Sequence, residues 1–262
     1  SIQQAAGQIG FSYAVSGDFF TQIAKLRAAR GLWAKVIVAA GGEQGAGAMP
    51  IHCRTSRFTM TKRDPWVNML RVTAECTAAV LGGAQSVATL PFDAVIGPPN
   101  ELAQRVARNT QIVLRDESHL DAVADPAGRS WFDETLTDQL ARAAWAEVRA
   151  IEAAGGIVRA LGSGRVVDAI EEVAKLRQQA LAKRKAPIVG VSEFPNAAEE
   201  PVHREPIPQD EVKRMLRAGL DQLDVGAHRE VLLGLARQVN VPERAPGSLT
   251  AACVAATTSG TD

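Results

Sequence analysis

Residues 49–56, MPIHCRTS, start apolar and end in two hydroxyls, and they lie between the glycine-rich GGEQGAG (41–47) and the turn RDPWVN (63–68). In that turn Asp64 is placed to cap a helix whose first position suits Pro65, and Gly82-Gly83 would end the helix. The stretch therefore reads as a strand feeding a helix. Upstream, IGFSYAVS (9–16) reads as a strand, with Asp18 as the N-cap of a helix from Phe19 to about Ala40. In that helix Ile23, Leu26, Ala29, Trp33 and Ile37 keep helical spacing, and Gly41-Gly42 stops it. Downstream, SVATL (86–90) precedes a helix from about Pro99 to Glu117. LDAVA (120–124) then precedes a helix from about Phe132 to Ala154, closed by Gly155-Gly156.

Four strand-helix units without a hairpin signal between them predict parallel pairing with helices outside. Four such units make half of a (βα)8 barrel, an incomplete body with open edge strands. The competing reading, a doubly wound sheet, lacks its glycine-rich nucleotide turn after the first strand. The sequence opens on Ser1 and soon enters a strand pattern, so the expectation is a piece of a longer chain with the other units upstream. The predicted fold is thus α/β, the C-terminal half of a (βα)8 TIM barrel over residues 1–196. Residues 197–262 are read as a linker and helical extension. VVDAIEEVAKLRQQALAKRK (166–185) is a charged amphipathic helix, PIVGVSEFPN (187–196) a short strand and turn, and AAEEPVHREPIPQDE (197–211) a proline-rich, charged linker. A helical stretch over about 210–239 and a small-residue tail follow.

The 262 residues balance 29 basic against 29 acidic side chains, which suggests neither a nucleic-acid nor a membrane partner. No apolar run approaches the roughly 18 residues of a spanning helix, and the chain reads as soluble and cytoplasmic. Cys53, Cys76 and Cys253 are too widely spaced for a disulfide framework or a metal pair, and read as packed, reduced thiols.

In a barrel, chemistry sits at the C-terminal strand ends, which places Arg54 to Arg57, Thr89 to Pro91, and Asp125 with Pro126 on that rim. Adjacent strand residues point to opposite faces, so His52 and Cys53 neither chelate one metal nor form a nucleophile pair. Arg54 and Arg57 are equally suited to clamp a phosphate or to pair with carboxylates of a neighbouring domain. GGEQGAG lacks the Lys-Ser/Thr of a phosphate loop and reads as an αβ connection. Asp116 and Glu117 adjoin on a helix end and do not face each other as an acid/base pair.

Several longer motifs carry a resemblance. GDFFTQIAKLRAARGLWAKVI (17–37), RDPWVNMLRVTAECTAAVLGGAQSV (63–87), PFDAVIGPP (91–99), ARNTQIVLRDESHLDAVADPAGRSWFDETLTDQLARAAW (107–145), RAIEAAGG (149–156) and IVGVSEFPN (188–196) resemble the adenosylcobalamin-dependent acyl-CoA mutases of the methylmalonyl-CoA mutase family. The resemblance implies a barrel threaded by CoA and capped by a cobalamin domain, in which a cobalt-carbon homolysis starts a radical rearrangement of methylmalonyl-CoA and succinyl-CoA. It also implies substrate positions at Gln8, Gly10, Arg54 and Gln85, and cofactor positions at Arg57, Ala94 and Gly97.

Most of these positions depart from the family pattern. The family's Arg-Leu-Ser contact with CoA reads Gln8-Ile9-Gly10 here. Its His-Cys-Gln-Thr-Ser-Gly reads His52-Cys53-Arg54-Thr55-Ser56-Arg57, and its Gln-Ser-Leu-His-Thr-Asn-Ser-Phe-Asp-Glu reads Gln85 to Ala94, with Gln85 retained. The lower-axial Asp-x-His-x-x-Gly has no match, since Asp224 and His228 in DVGAHRE are wrongly spaced. Intact scaffold motifs around an altered rim are similar to the non-catalytic small-subunit branch, which implies a heterodimer with a catalytic large subunit that binds the adenosylcobalamin. An active mutase with altered acyl specificity is the alternative, and a stand-alone CoA-binding or regulatory module a third.

Overall fold

The computed structural model describes residues 1–204 together with Asp210 and Arg214. The chain divides into two units, Ser1–Pro206 and Ile207–Asp262, and the helix expected over about 210–239 lies outside the described residues except at those two positions.

The first unit is built on a parallel sheet. Its strands β1 (Phe11–Val15), β2 (Ile51–Thr55) and β3 (Ser86–Ala88) pair in that order. The register sets Ser12, His52 and Ser86 in one row across the sheet and Ala14, Arg54 and Ala88 in another. Around it come α1 (Ile2–Ala6), α2 (Phe19–Ala39), α3 (Val67–Leu81), α4 (Glu101–Ile112), α5 (Trp131–Ala153), α6 (Ile157–Gly162) and α7 (Arg165–Ala182). The mixed α/β class and the parallel pairing agree with the sequence reading. Helices α1 and α6 were not foreseen.

Period-2 alternation decides which face of the sheet is covered. Val15, Ile51 and Cys53 are buried and join Ile23 and Leu26 of α2 and Ala78 and Ala79 of α3 in one core cluster, with Phe11, Tyr13 and Val87 packed against it. On the other face Ser12, Ala14, His52, Arg54, Ser86 and Ala88 are all exposed. The sheet is therefore clothed on one side and bare on the other.

Three expectations fail. The structure has three strands among its described residues, not four, because 120–124 forms turns. A π-helical turn, Val113–Glu117, ends α4, and the amides of Leu120 and Ala122 are spent on Leu114 and His119 carbonyls within the same loop. His119 and Asp125 adopt positive φ on either side, which breaks an extended run. A cavity of about 430 Å³ bordered by Val87, Leu120 and Asp121 lies beside the free edge of β3. In addition, Asp64 does not cap α3: it takes φ 43°, and residues 64–66 form a turn whose carbonyls accept from Val67 and Asn68. Residues 187–196 contribute only an isolated bridge, Val189 to Glu193, in place of the expected strand.

Candidate functional site

The positions singled out in the sequence fall at two ends of the sheet. Gln8 and Gly10 are exposed just ahead of β1, and Gln85 lies just ahead of β3. Gly10 and Gln85 share a cavity of about 290 Å³ with Ser12, His52 and Ser86. The Gln85 amide oxygen already accepts from the Ile51 backbone N–H at 2.7 Å, which ties the retained glutamine to β2. His52 Nδ1 lies 2.8 Å from the Oγ of its row neighbour Ser86. Arg54 stands one pleat further along the bare face, between Ala14 and Ala88.

The other group gathers at the C-terminal ends of the strands. Arg57 lies in a 3₁₀ turn, Arg57–Thr59, directly after β2, and its Nη2 donates to the Ala94 carbonyl at 2.9 Å. This joins the loops after β2 and β3. Gly97, three residues beyond Ala94, is backed by Arg204: a Cβ at Gly97 would lie 2.6 Å from that of Arg204. Arg204 in turn grips Asp93, with Nε at 3.1 Å and Nη2 at 3.0 Å from Oδ2, and Asp93 is fully buried. Arg57, Ala94 and Gly97 are thus brought together, and this chain's own arginines bond to or cover them.

The rim rests on two buried polar side chains of α3. Asn68, 0% exposed, donates to the carbonyls of Thr61 (2.8 Å) and Phe92 (2.9 Å) while its oxygen accepts from Thr61 N–H (3.0 Å) and Arg71 (2.8 Å). Glu75, 1% exposed, accepts from Ser56 N–H at 2.9 Å and from the Thr59 hydroxyl at 2.5 Å. Burial pushes its carboxyl above the ordinary range, opposed by those two hydrogen bonds and by Arg71. Thr55 Oγ1 accepts from Leu90 N–H at 2.8 Å and locks β2 to the β3 loop.

Sequence reasoning missed Glu75, Asn68 and the Asp93–Arg204 pair. A signal existed for the first two, since Asn68, Val72, Glu75 and Ala79 share the buried stripe of α3 and a carboxylate there needs donors. The third pairs residues 111 positions apart, beyond the reach of any local pattern. Two residues assigned to the rim face elsewhere. The Thr89 hydroxyl donates to Ala107 O of α4 at 2.5 Å, and Asp125 pairs with Arg27 of α2. The thiols of Cys53 and Cys76 are free and buried, and burial pushes Cys76 up to about 11. Cys253 lies outside the described residues.

Comparison with known proteins matches residues 1–261 to the family model described as methylmalonyl-CoA mutase. The chain is 52% identical over 207 residues to a methylmalonyl-CoA mutase small subunit of Streptomyces virginiae, covering 79% of this chain and 33% of that protein. It is 46% identical over 203 residues to a probable methylmalonyl-CoA mutase small subunit of Mycobacterium bovis, covering 76% and 32%. A methylmalonyl-CoA mutase of Escherichia coli is 38% identical over 194 residues, covering 74% and 27%. The chain therefore spans about a third of the length of the curated relatives it matches.

Proposed function

Since the chain belongs to the methylmalonyl-CoA mutase family, we propose that it is part of a small subunit that supports the isomerisation of methylmalonyl-CoA and succinyl-CoA without catalysing it. The sheet and its helices are then part of a (βα)8 barrel completed by the rest of the protein. A catalytic large subunit is the partner and holds the adenosylcobalamin, which supplies the radical chemistry when bound. The complex works in the cytoplasm, where Cys53 and Cys76 stay reduced.

The observation that carries this reading is the closed rim. The residues at the family's cofactor positions do not fit an incoming corrin. Arg57 spans to the Ala94 carbonyl, and Arg204, anchored on buried Asp93, covers Gly97. Both guanidiniums are held by acceptors of this chain, so admitting a planar cofactor would break two charge-assisted contacts. The substrate end has changed in the same sense. Gln8 and Gly10 offer no cation to a CoA phosphate, and the Gln85 amide is engaged with Ile51.

The test is a titration of the full-length natural protein with adenosylcobalamin, read by its visible spectrum, first alone and then with the large subunit. No spectral change alone and a stoichiometric one in the complex is the expected result. A stoichiometric change with the protein alone would instead establish a cofactor-binding, catalytic mutase, with Arg54 as a determinant of acyl specificity.

A further inference from the structure

Gly97 lies in the loop after β3, and its φ is outside the left-handed region that reserves a position for glycine. The backbone there would accept an alanine without strain. The obstacle is Arg204: a Cβ at position 97 would lie 2.6 Å from Cβ and 3.5 Å from Cγ of that residue. These are the first atoms of the arginine side chain, and its far end is held. Nε and Nη2 donate to Asp93 Oδ2 at 3.1 and 3.0 Å, and Nη1 donates to the His203 carbonyl at 3.2 Å. The segment that carries Arg204 meets a second glycine at its other end. Gly190 takes φ 81°, and a Cβ there would lie 2.9 Å from Oδ2 and 3.0 Å from Cβ of Asp64. Close by, Glu199 accepts from the Asp64 N–H and Arg71 donates to the Val189 carbonyl, both at 2.5 Å.

The family resemblance makes Gly97 a cofactor position, and a missing side chain there leaves room for a bulky ligand. In this chain residue 204 fills that room. We propose that residues 188–204 form a latch over the loops after β2 and β3, seated by the absent side chains of Gly97 and Gly190 and fastened by Arg204 on Asp93. Gly97 is then a positioning residue that acts through Arg204. Carbon atoms pack at roughly 3.5–4.0 Å, so a methyl group at Gly97 forces the start of the arginine away. The buried Asp93 carboxylate then loses its counter-charge, which makes the clash and the lost ion pair a single event. For what it blocks, the latch rests on the reading of the rim as a closed cofactor site; for how it holds, it rests on contacts within this chain.

The experiment uses the full-length natural protein. Phenylglyoxal labelling of Arg204, read by peptide mass mapping, compares its rate in the folded protein with its rate in urea. Wild type should label about tenfold or more slowly when folded, and Gly97→Ala within about threefold of the unfolded rate. Gly31→Ala, where a Cβ meets nothing within 4 Å, serves as the control and should keep the protection. Gly97→Ala is also melted in two backgrounds, wild type and Asp93→Asn/Arg204→Gly, the second of which removes the arginine side chain together with the charge it covers. It should lower Tm by about 5 °C or more in the first and by almost nothing in the second. If Gly97→Ala alone does not fold, a cooperative melt regained in the second background supports the latch, and none regained overturns it. A folded Gly97→Ala with Arg204 still protected, or an equal Tm loss in both backgrounds, overturns it too. So does labelling of folded wild type as fast as in urea. Stoichiometric uptake of adenosylcobalamin by wild type with Arg204 protected would instead overturn the closed rim, and with it the blocking role, while the seating of Arg204 on Gly97 survives.

Discussion

Glu75 is the side chain on which the end of β2 depends. Its carboxyl is raised chiefly by burial, so the folded state holds that proton more tightly than the unfolded chain does. The stability it contributes is fully present below the unfolded value, near 4.5, and is lost as pH rises through the folded one. Glu75→Gln removes the titration while its amide oxygen can still accept from Ser56 N–H. Melting temperatures taken from about pH 4.5 to about pH 7.5 should show wild type losing stability relative to Glu75→Gln, and a constant difference would refute the raised carboxyl. Glu75→Ala orphans the Ser56 amide and should cost about 1–3 kcal/mol for that group alone. Asn68 behaves differently because it both donates and accepts. Asn68→Asp keeps the shape but loses both donations, to Thr61 O and Phe92 O, so urea denaturation should find it destabilised by several kcal/mol, about 1–3 for each orphaned carbonyl.

The next scale is the element, where the segment over 188–204 acts as a strap across the loops that follow β2 and β3. Arg71 Nη2 donates to Val189 O at 2.5 Å, Glu199 accepts from Asp64 N–H at 2.5 Å, and Arg204 closes on Asp93. The last contact dominates because Asp93 is fully buried and Arg204 is its only salt-bridge partner among the described residues. Arg204→Ala leaves an uncompensated carboxylate and should destabilise the unit by about 3–5 kcal/mol. Adding Asp93→Asn should recover part of that loss in a double-mutant cycle followed by urea denaturation, and strictly additive losses would deny the coupling. The sequence reveals elements in proportion to how locally they are determined. Helix α2 and strand β2 carry their own periodicity and stop signals, so 19–39 and 51–55 fall close to their expected bounds. LDAVA has an extended composition but no partner strand beside it, and local turn bonds take its amides. The strap was legible only as a short strand and turn running into a proline-rich linker, because its hold is made by side chains contributed from far along the chain.

At the scale of the whole molecule, three segments distant in sequence meet at one rim: the turn after β2 through Arg57, the loop after β3 through Asp93, Ala94 and Gly97, and the strap through Arg204. Arg57, Ala94 and Gly97 are named by the resemblance to a family, whereas Asp93 and Arg204 are not. Their mutual bonding was not legible, since it depends on how the parallel sheet and its loops bring them together. This has a consequence for any attempt to open the proposed closed site. Arg57→Gly removes one guanidinium but leaves Arg204 over Gly97, pinned by the buried charge of Asp93, which no change at Arg57 relaxes. After gel filtration with adenosylcobalamin, the full-length Arg57→Gly protein without its partner should therefore elute colourless. Retention of stoichiometric cobalamin by that single variant would show that Arg57 alone excludes the cofactor, and that the strap follows the rim without closing it.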